Sequence, residues 1–372
     1  MKMQRYQKQI LLKEFGEKSQ RLLSESKVLI IGAGGLGCPV LQYLAAAGVG
    51  CIGIVDFDVV EISNLHRQIL YTADDIGKSK AKIASEKIKA LNPEIQLDVF
   101  KIKIDNQNAI EIISGYDLVV DGSDNFPTRY LVNDACVLLG KSLVYGSVFR
   151  FEGQVGVFNY RQENIKTNYR DIYPNPPKPE EVADCNEAGV IGVLPGIIGT
   201  MQANEAIKII TGIGKTLSNR LVTYNALNNS FYEIEIKPDS ESKKNLPKNK
   251  EEFLQMNYEW YCNEKNSVHE ISAEVFEKMI LLDNVLVIDV RNENELPKMA
   301  ETNVLAIPLH LLKERVDEID SDKTIVVFCQ TGTRSKKAIE IIQQFVHHNN
   351  IYNLEGGIKK WKKYMENKRI SV

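Results

Sequence analysis

The 372-residue chain contains no CxxC pair. Its six cysteines are Cys38, Cys51, Cys136, Cys185, Cys262 and Cys329, and their wide spacing excludes a CxxC redox pair and a zinc site built from such pairs. Six cysteines in a cytosolic chain of this length also make no disulfide scaffold. Apolar runs are short: Val28–Ile31 with its glycine-rich continuation falls far below the ~20 residues that cross a bilayer. The N-terminal MKMQRYQKQI lacks the apolar core of a secretory signal, so a cytoplasmic protein without a membrane partner is expected. Positive charge is not in excess. A net charge of −3 and a pI near 6.1 argue against a nucleic-acid partner held by bulk charge. No internal repeat is visible. What remains is ordinary globular composition, 44% hydrophobic and 26% charged, which excludes collagen-like, disordered and coiled-coil chains. The length fits two domains at the usual ~100–200 residues each.

Up to about residue 237, strand-like runs alternate with helical ones. KVLII (Lys27–Ile31), CIGIVD (Cys51–Asp56), IQLDVFKIKI (Ile95–Ile104), DLVVDG (Asp117–Gly122) and SLVYGS (Ser142–Ser147) are β-rich and apolar. Between them lie helical patterns such as PVLQYLAAAG, ending at Gly48, and SKAKIASEKIKALN, ending before Pro93. This alternation predicts a mostly parallel sheet covered on both faces. Lys237–Glu252 then carries five lysines, four acids and two prolines in sixteen residues, which predicts a solvated linker. Beyond it a smaller α/β pattern resumes with VLVIDVR (Val285–Arg291), TIVVFC (Thr324–Cys329) and the helix SKKAIEIIQQF. There Ala338, Ile341, Ile342 and Phe345 fall on one expected buried stripe. The expected architecture is two α/β domains, 1–237 and 267–372, joined by a charged linker over 238–266.

GAGGLG (Gly32–Gly37) follows a strand and opens a helix, the setting in which a glycine-rich loop holds phosphate. Gly32 permits the tight turn, Gly34 lets backbone approach a nucleotide, and Gly37 lets helix and strand pack closely. Asp56, nineteen residues after Gly37, closes the next strand where an acid takes ribose hydroxyls. These features alone would fit a dinucleotide enzyme. The following residues do not. VEISNLHRQILY places Asn64, Arg67 and Gln68 beyond the second strand, and GKSKAKIA adds Lys80. A nicotinamide ring needs an apolar pocket, whereas this set resembles a triphosphate clamp. DGSDNFPTRY ends the fourth strand with Asp121 and Asp124, and a carboxylate facing phosphates usually holds Mg²⁺.

Together RYQKQI, GAGGLG, DFDVVEISNLHRQ, GKSKA, DGSDNFPTR, FEGQVGVF and DCNEAGVIGVLPGIIGTMQANEAIK (Asp184–Lys208) resemble the ubiquitin-activating-like adenylyltransferases. The match is to the branch that activates the molybdopterin-synthase small subunit and the thiamine sulfur carrier, and it covers residues 1–237. The resemblance implies a Rossmann-like, mostly parallel sheet and a homodimer. It implies Mg-ATP-dependent adenylation of the C-terminal glycine carboxylate of a small ubiquitin-like carrier ending in Gly-Gly. By resemblance, Gly35 and its neighbouring amides lie beside ATP, and Asp56 takes the ribose. Asn64, Arg67, Gln68 and Lys80 hold phosphates, Asp124 orders Mg²⁺ with Asn125 beside it, and Arg129 serves the phosphates or the incoming tail.

Two departures from the family pattern are visible. Lys8 stands where the family usually has an arginine thought to reach the partner subunit's ATP; lysine keeps the charge but loses the bidentate fork. Many relatives carry four zinc cysteines in two CxxC pairs. Here Asn168 and Asp171 occupy the first pair's positions and the region around Lys237 has no cysteine, so no zinc is expected. Cys185 aligns with a cysteine in the family's crossover loop. It is either a thiol that forms a transient thioester or disulfide with the activated tail, or an ordinary loop cysteine. Cys38, Cys51 and Cys136 lie in apolar segments and read as small buried hydrophobes. Cys262 has no assigned role.

TIVVFC delivers Cys329 to a strand end, and QTGTRS leads directly into a helix, so loop amides and the helix N-terminus favour thiolate over thiol. Arg334 adds positive charge. Cysteine-dependent phosphatases have one residue more between cysteine and arginine than the four here (Gln330, Thr331, Gly332, Thr333), and the tighter loop suits a single extra sulfur atom. CQTGTRS, with IDVRNENEL and LEGGIKKW, resembles the rhodanese domain over roughly residues 267–368. That resemblance implies a Cys329 persulfide passed to an acceptor, loaded by a donor such as thiosulfate or a cysteine desulfurase. The two halves together imply a carrier thiocarboxylate, made for molybdenum cofactor or related sulfur-transfer biosynthesis. The alternative is adenylation of a peptide or small-molecule carboxylate, with the second domain a docking module.

Overall fold

The computed structural model describes residues 2–160, 165–175, 189–240, 242–258, 269–282, 284–292, 294–320, 323–345 and 351–370. The chain divides into two compact units, Met1–Cys262 and Asn263–Val372. Among the described residues no helix is long and apolar enough to cross a membrane.

The first unit is built on an eight-stranded sheet. In chain order its strands are β1 (Lys27–Ile31), β2 (Cys51–Val55), β3 (Gln96–Phe100), β4 (Leu118–Asp121), β5 (Ser142–Phe149), β6 (Glu152–Phe158), β7 (Arg220–Asn225) and β8 (Ser230–Glu235). They lie side by side as β3-β2-β1-β4-β5-β6-β7-β8; β3 through β5 run parallel, and β6, β7 and β8 are added antiparallel. Alternation along β1 shows why both faces are covered. Val28 and Ile30 enter one apolar core and Leu29 and Ile31 the other. The first core includes residues of α3 (Gly37–Ala47) and α4 (Lys80–Leu91); the second includes α5 (Ala109–Ser114) and α6 (Phe126–Leu139). The long helix α7 (Val193–Thr211) closes against α3 at Gly199, where a Cβ would sit 2.4 Å from the Leu36 carbonyl oxygen.

Strand order positions the site. β1 pairs with β2 on one side and β4 on the other, with Ile31 opposite both Val55 and Asp121. The glycine loop, Asp56 and the Asp121–Asn125 turn therefore leave adjacent carboxyl strand ends, where α/β sheets bind ligands.

The expectation of a solvated linker over 238–266 meets a different arrangement in its first part. Ser242–Asn245 forms a 3₁₀ turn and Lys250–Gln255 a helix, α8. Phe253 and Tyr258 are buried in the first unit's core. The charge-rich composition hid two aromatic anchors and a set of polar contacts to residues far back in the sequence. Residues 259–266 of that segment lie outside the described residues.

The second unit is an all-parallel five-stranded sheet of β9 (His269–Ile271), β10 (Val285–Asp289), β11 (Val304–Ala306), β12 (Thr324–Phe328) and β13 (Ile351–Leu354), in the order β11-β10-β12-β13-β9. The helices α9 (Ala273–Met279), α10 (Thr333–Phe345) and α11 (Gly357–Ile370) accompany it. On α10 the buried residues are Ser335, Ala338, Ile339 and Ile342. Ile341 is half-buried, and Phe345, expected in the stripe, is exposed. The buried stripe therefore starts about one turn earlier, at Ser335 beside the cysteine loop, and ends at Ile342.

Candidate functional site

The glycine loop has the shape that the sequence predicts. Gly32 adopts φ +88°, and a Cβ on Gly37 would lie 1.9 Å from the Gly32 carbonyl oxygen, so neither tolerates a side chain. Asp56 fixes the loop from below: its Oδ2 accepts the Ala33 N–H at 2.8 Å and its Oδ1 the Asp58 N–H at 2.8 Å. Burial pushes the Asp56 carboxyl upward, while those two donors and Lys80 pull the other way. Gly34 faces the Gln68 side chain, and Gly35 faces Pro195 of α7 and the stem of Arg67.

The expected phosphate ligands lie around this loop. Asn64 is buried in the 3₁₀ turn Ile62–Asn64, where its Oδ1 accepts the Glu61 N–H at 3.1 Å. Arg67 is half-buried and donates to the Ser63 carbonyl at 3.0 Å. Gln68 is buried, and its Oε1 has no partner among the described residues. The Lys80 ammonium is also buried but sits 2.9 Å from the Asp58 carboxylate, so a phosphate reaches it by displacing or sharing that acid. Asp58 was not singled out in the sequence. Two residues from Asp56, it passes for a surface charge.

At the end of β4, Asp121 is buried and its Oδ1 accepts the Ser123 N–H at 2.9 Å, while Oδ2 has no partner among the described residues. Burial pushes its carboxyl upward, opposed by Arg129. Asp124 is exposed, and Asn125 caps α6 by accepting the Thr128 N–H at 3.0 Å. Arg129 was a candidate for phosphates or tail. It lies buried under this turn, its guanidinium over the rings of Phe126 (5.4 Å) and Tyr145 (5.8 Å), with Nη2 3.4 Å from the Ser123 carbonyl. From there it braces the turn. Gln202 of α7, missed in the sequence, does the same from the other side by donating to the Asp121 carbonyl at 2.7 Å. Unsatisfied buried acceptors at Gln68 and Asp121 beside a glycine loop fit a polar ligand bearing donors or a cation. Lys8 is exposed on α1 (Lys2–Ile10), and Cys185 lies outside the described residues, as does Cys262.

The other described cysteines of this unit carry no thiolate character. Cys38 and Cys51 are pushed up to about 12, Cys38 by burial and Cys51 by burial and the Asp98 carboxylate; burial also pushes Cys136 upward. Cys329 behaves oppositely. It sits at the base of its loop, 1% exposed, and its Sγ accepts the Gly332 N–H at 3.2 Å and the Ser335 hydroxyl at 3.4 Å. Burial alone would raise its pKa, yet the Ser335 hydroxyl and the loop N–H groups of Ser335, Thr331 and Gly332 hold it below the ordinary thiol value.

Arg334, expected to supply charge to the sulfur, forms a two-pronged pair with Glu295, both contacts at 2.6 Å. Arg291 likewise grips Asp289 and donates to Gln330 Oε1 at 3.0 Å, which fixes the first residue after the cysteine. Amides and one hydroxyl are the groups bonded to the sulfur, Arg334 also feels its charge, and both guanidiniums tie the loop to its neighbours. Ser335 was legible only as the last letter of CQTGTRS, and Glu295 as one of several acids in IDVRNENEL.

Residues 6–245 match the ThiF family and residues 272–364 the rhodanese-like domain. The chain belongs to the ThiF family. A probable adenylyltransferase/sulfurtransferase, MoeZ of Mycobacterium tuberculosis, is 40% identical over 97% of this chain and 93% of that protein. The adenylyltransferase and sulfurtransferase MOCS3 of Xenopus laevis is 36% identical over 96% of this chain and 85% of its own length. A sulfur carrier protein adenylyltransferase of Thermus thermophilus is 50% identical over 63% of this chain and 87% of that protein. Among solved structures, Escherichia coli MccB with succinimide superimposes with a TM-score of 0.54 at 21% identity, over 63% of this chain and 71% of that one, and shows the shared fold. The ThiF-family chain is thus an ATP-using adenylyltransferase with a sulfurtransferase domain, and the nicotinamide reading of its glycine loop falls away.

Proposed function

We propose that this ThiF-family chain adenylates the C-terminal glycine carboxylate of a small ubiquitin-like sulfur carrier and converts it to a thiocarboxylate with sulfur held on Cys329. The observation that carries the reading is one chain holding both a phosphate-type loop with unsatisfied acceptors and a cysteine whose environment favours thiolate. A carboxylate is a poor electrophile, because its leaving group is oxide. Its oxygen attacks the α-phosphorus of ATP, pyrophosphate departs, and the acyl carbon now bears AMP as leaving group. The chain's part is alignment and charge neutralisation: loop amides and Gly35 beside the nucleotide, Asp56 at the ribose, and Asn64, Arg67, Gln68 and Lys80 at the phosphates. Asp124, with Asn125 beside it, would hold Mg²⁺, whose chemistry is to neutralise phosphate charge. Lys8 would contribute from the partner subunit in a homodimer.

In the second half-reaction a terminal persulfide sulfur on Cys329 attacks the acyl carbon and AMP leaves, giving an acyl disulfide. A thiolate attacks the Cys329 sulfur, the carrier leaves as its thiocarboxylate, and a second thiolate restores Cys329 while the two donor thiols end as a disulfide. Cys185 is the candidate for a thiol that forms a transient thioester or disulfide with the activated tail. The persulfide is loaded by a cysteine desulfurase or by thiosulfate. Relatives named sulfur carrier protein adenylyltransferase and probable molybdopterin-synthase adenylyltransferase support a role in molybdenum cofactor or related sulfur transfer, which we place in the cytoplasm.

Pyrophosphate exchange with a Gly-Gly-ended carrier, compared with free carboxylates, tests the substrate class. Asp124→Ala should lower exchange by about 100-fold or more. Cys329→Ala should leave exchange intact and abolish thiocarboxylate. Exchange driven equally well by small carboxylates would favour the docking-module alternative.

A further inference from the structure

Many relatives carry a zinc ion on two cysteine pairs, and here the positions of the first pair are Asn168 and Asp171. The structure brings a second pair with the same spacing, Asp239 and Ser242, onto them. Asp171 Oδ2 accepts the Asn168 backbone N–H at 2.7 Å and its side-chain amide at 2.8 Å. Asp171 Oδ1 accepts the Asp239 N–H at 2.9 Å and the Ser242 hydroxyl at 2.6 Å. These four positions hold no thiolate and no imidazole, and both Asp171 oxygens are occupied by two donors each, so the set does not fit zinc. Among the described residues no group of three or more His, Cys, Asp or Glu side chains is placed to hold a metal ion.

We infer that the Asp171 carboxylate takes the place of the metal and fastens the lysine-rich segment 239–258 to the first unit as a fixed strap. Ser242 is fully buried, so its hydroxyl needs the partner that Asp171 supplies. Charge-assisted bonds to a carboxylate are the stronger kind, and here they join residues 68 and 71 positions apart. The strap is fastened again farther on. Asn106 donates to the Leu254 and Met256 carbonyls at 2.7 and 3.0 Å, and Phe253 packs against Tyr258 with ring centroids 5.6 Å apart. The Tyr258 hydroxyl donates to Asp134 at 2.9 Å, and Asp134 is gripped by Arg170, the neighbour of Asp171, at 2.8 and 2.7 Å. One short turn thus supplies both fastenings, Asp171 directly and Arg170 through Asp134.

The test uses the full-length chain and trypsin, with cleavage at Lys243, Lys244, Lys248 and Lys250 mapped by mass spectrometry and metal content measured in parallel. The wild-type strap should be cut slowly, hold no stoichiometric zinc, and be indifferent to a zinc chelator. Asp171→Ala should speed cleavage at these four lysines by about tenfold or more, because local opening controls access to the bonds. Ser242→Ala, which removes one donor and leaves the carboxylate, should give a smaller acceleration of about threefold and covers the case in which Asp171→Ala does not fold. Three results overturn the inference: wild-type cleavage as fast as the variants, folded variants cut as slowly as wild type, or a bound zinc whose removal releases the strap.

Discussion

Replacing Ser335 with alanine removes the only side-chain donor to the Cys329 sulfur among the described residues and leaves the loop backbone in place. The hydroxyl's one hydrogen is shared between Sγ at 3.4 Å and the Gly332 carbonyl at 3.1 Å, in a fully buried position. A hydrogen bond to an ionised group contributes ~1.5–3 kcal/mol, and at this sulfur distance the lower end applies. A loss of ~1.4 kcal/mol is a factor of ten, so Ser335→Ala should raise the Cys329 pKa and cut its thiolate fraction below the midpoint by up to about tenfold. The sign is fixed by the direction of transfer: the donor favours thiolate, and its loss favours thiol. The assay is the pH dependence of iodoacetamide modification, followed on the Cys329 peptide by mass spectrometry after reduction of any persulfide. Cys38, Cys51 and Cys136 are buried and held as thiols, so they do not compete. An unchanged or lower midpoint in Ser335→Ala would refute the assignment of the hydroxyl as a thiolate donor.

Three further outcomes follow from the same contacts. Glu295 is held at about 2, chiefly by Arg334, against an ordinary value of 4.5. A depressed carboxylate stabilises above its unfolded pKa and loses that contribution as pH falls through the window from about 4.5 to 2. The pair is partly exposed and contributes ~0.5–1 kcal/mol, so the second unit should melt progressively earlier across that window in wild type and show less pH dependence in Glu295→Gln. Asp134→Ala leaves the fully buried Arg170 guanidinium without its carboxylate and should cost ~3–5 kcal/mol in urea unfolding of the first unit, whereas replacing both by apolar residues should cost less. Lys80→Ala should raise the ATP KM in pyrophosphate exchange by about tenfold with unchanged circular dichroism; an unaltered KM would remove Lys80 from the phosphate site.

Much of this was legible because strand ends and glycine spacing are local signals. β1, the glycine loop and α3 follow from KVLII, Gly32, Gly37 and the apolar run to Gly48, and strand order then places Asp56 and Asp121 beside the loop. Pairings across long sequence distances were not legible. Nothing near Asp171 announces that Ser242 will donate to it, and the lysines of the 237–252 segment outweighed Phe253 and Tyr258, the two aromatics just beyond it that anchor the strap. The same limit applies to Arg334. Its charge is visible in CQTGTRS, but its neutralisation by Glu295, 39 residues earlier, is a tertiary fact. Gln202 and Asp58 were missed because one is a mid-helix amide and the other one acid among many.

The central claim is that one chain activates a carrier carboxylate and supplies sulfur to it from Cys329. Its most direct test is intact-mass spectrometry of a Gly-Gly-ended carrier incubated with the full-length protein, Mg-ATP, a persulfide donor and excess thiol. The wild-type protein should give the oxygen-to-sulfur mass gain on the carrier, and Cys329→Ala should give pyrophosphate release without that gain. Full thiocarboxylate formation by Cys329→Ala would contradict the account.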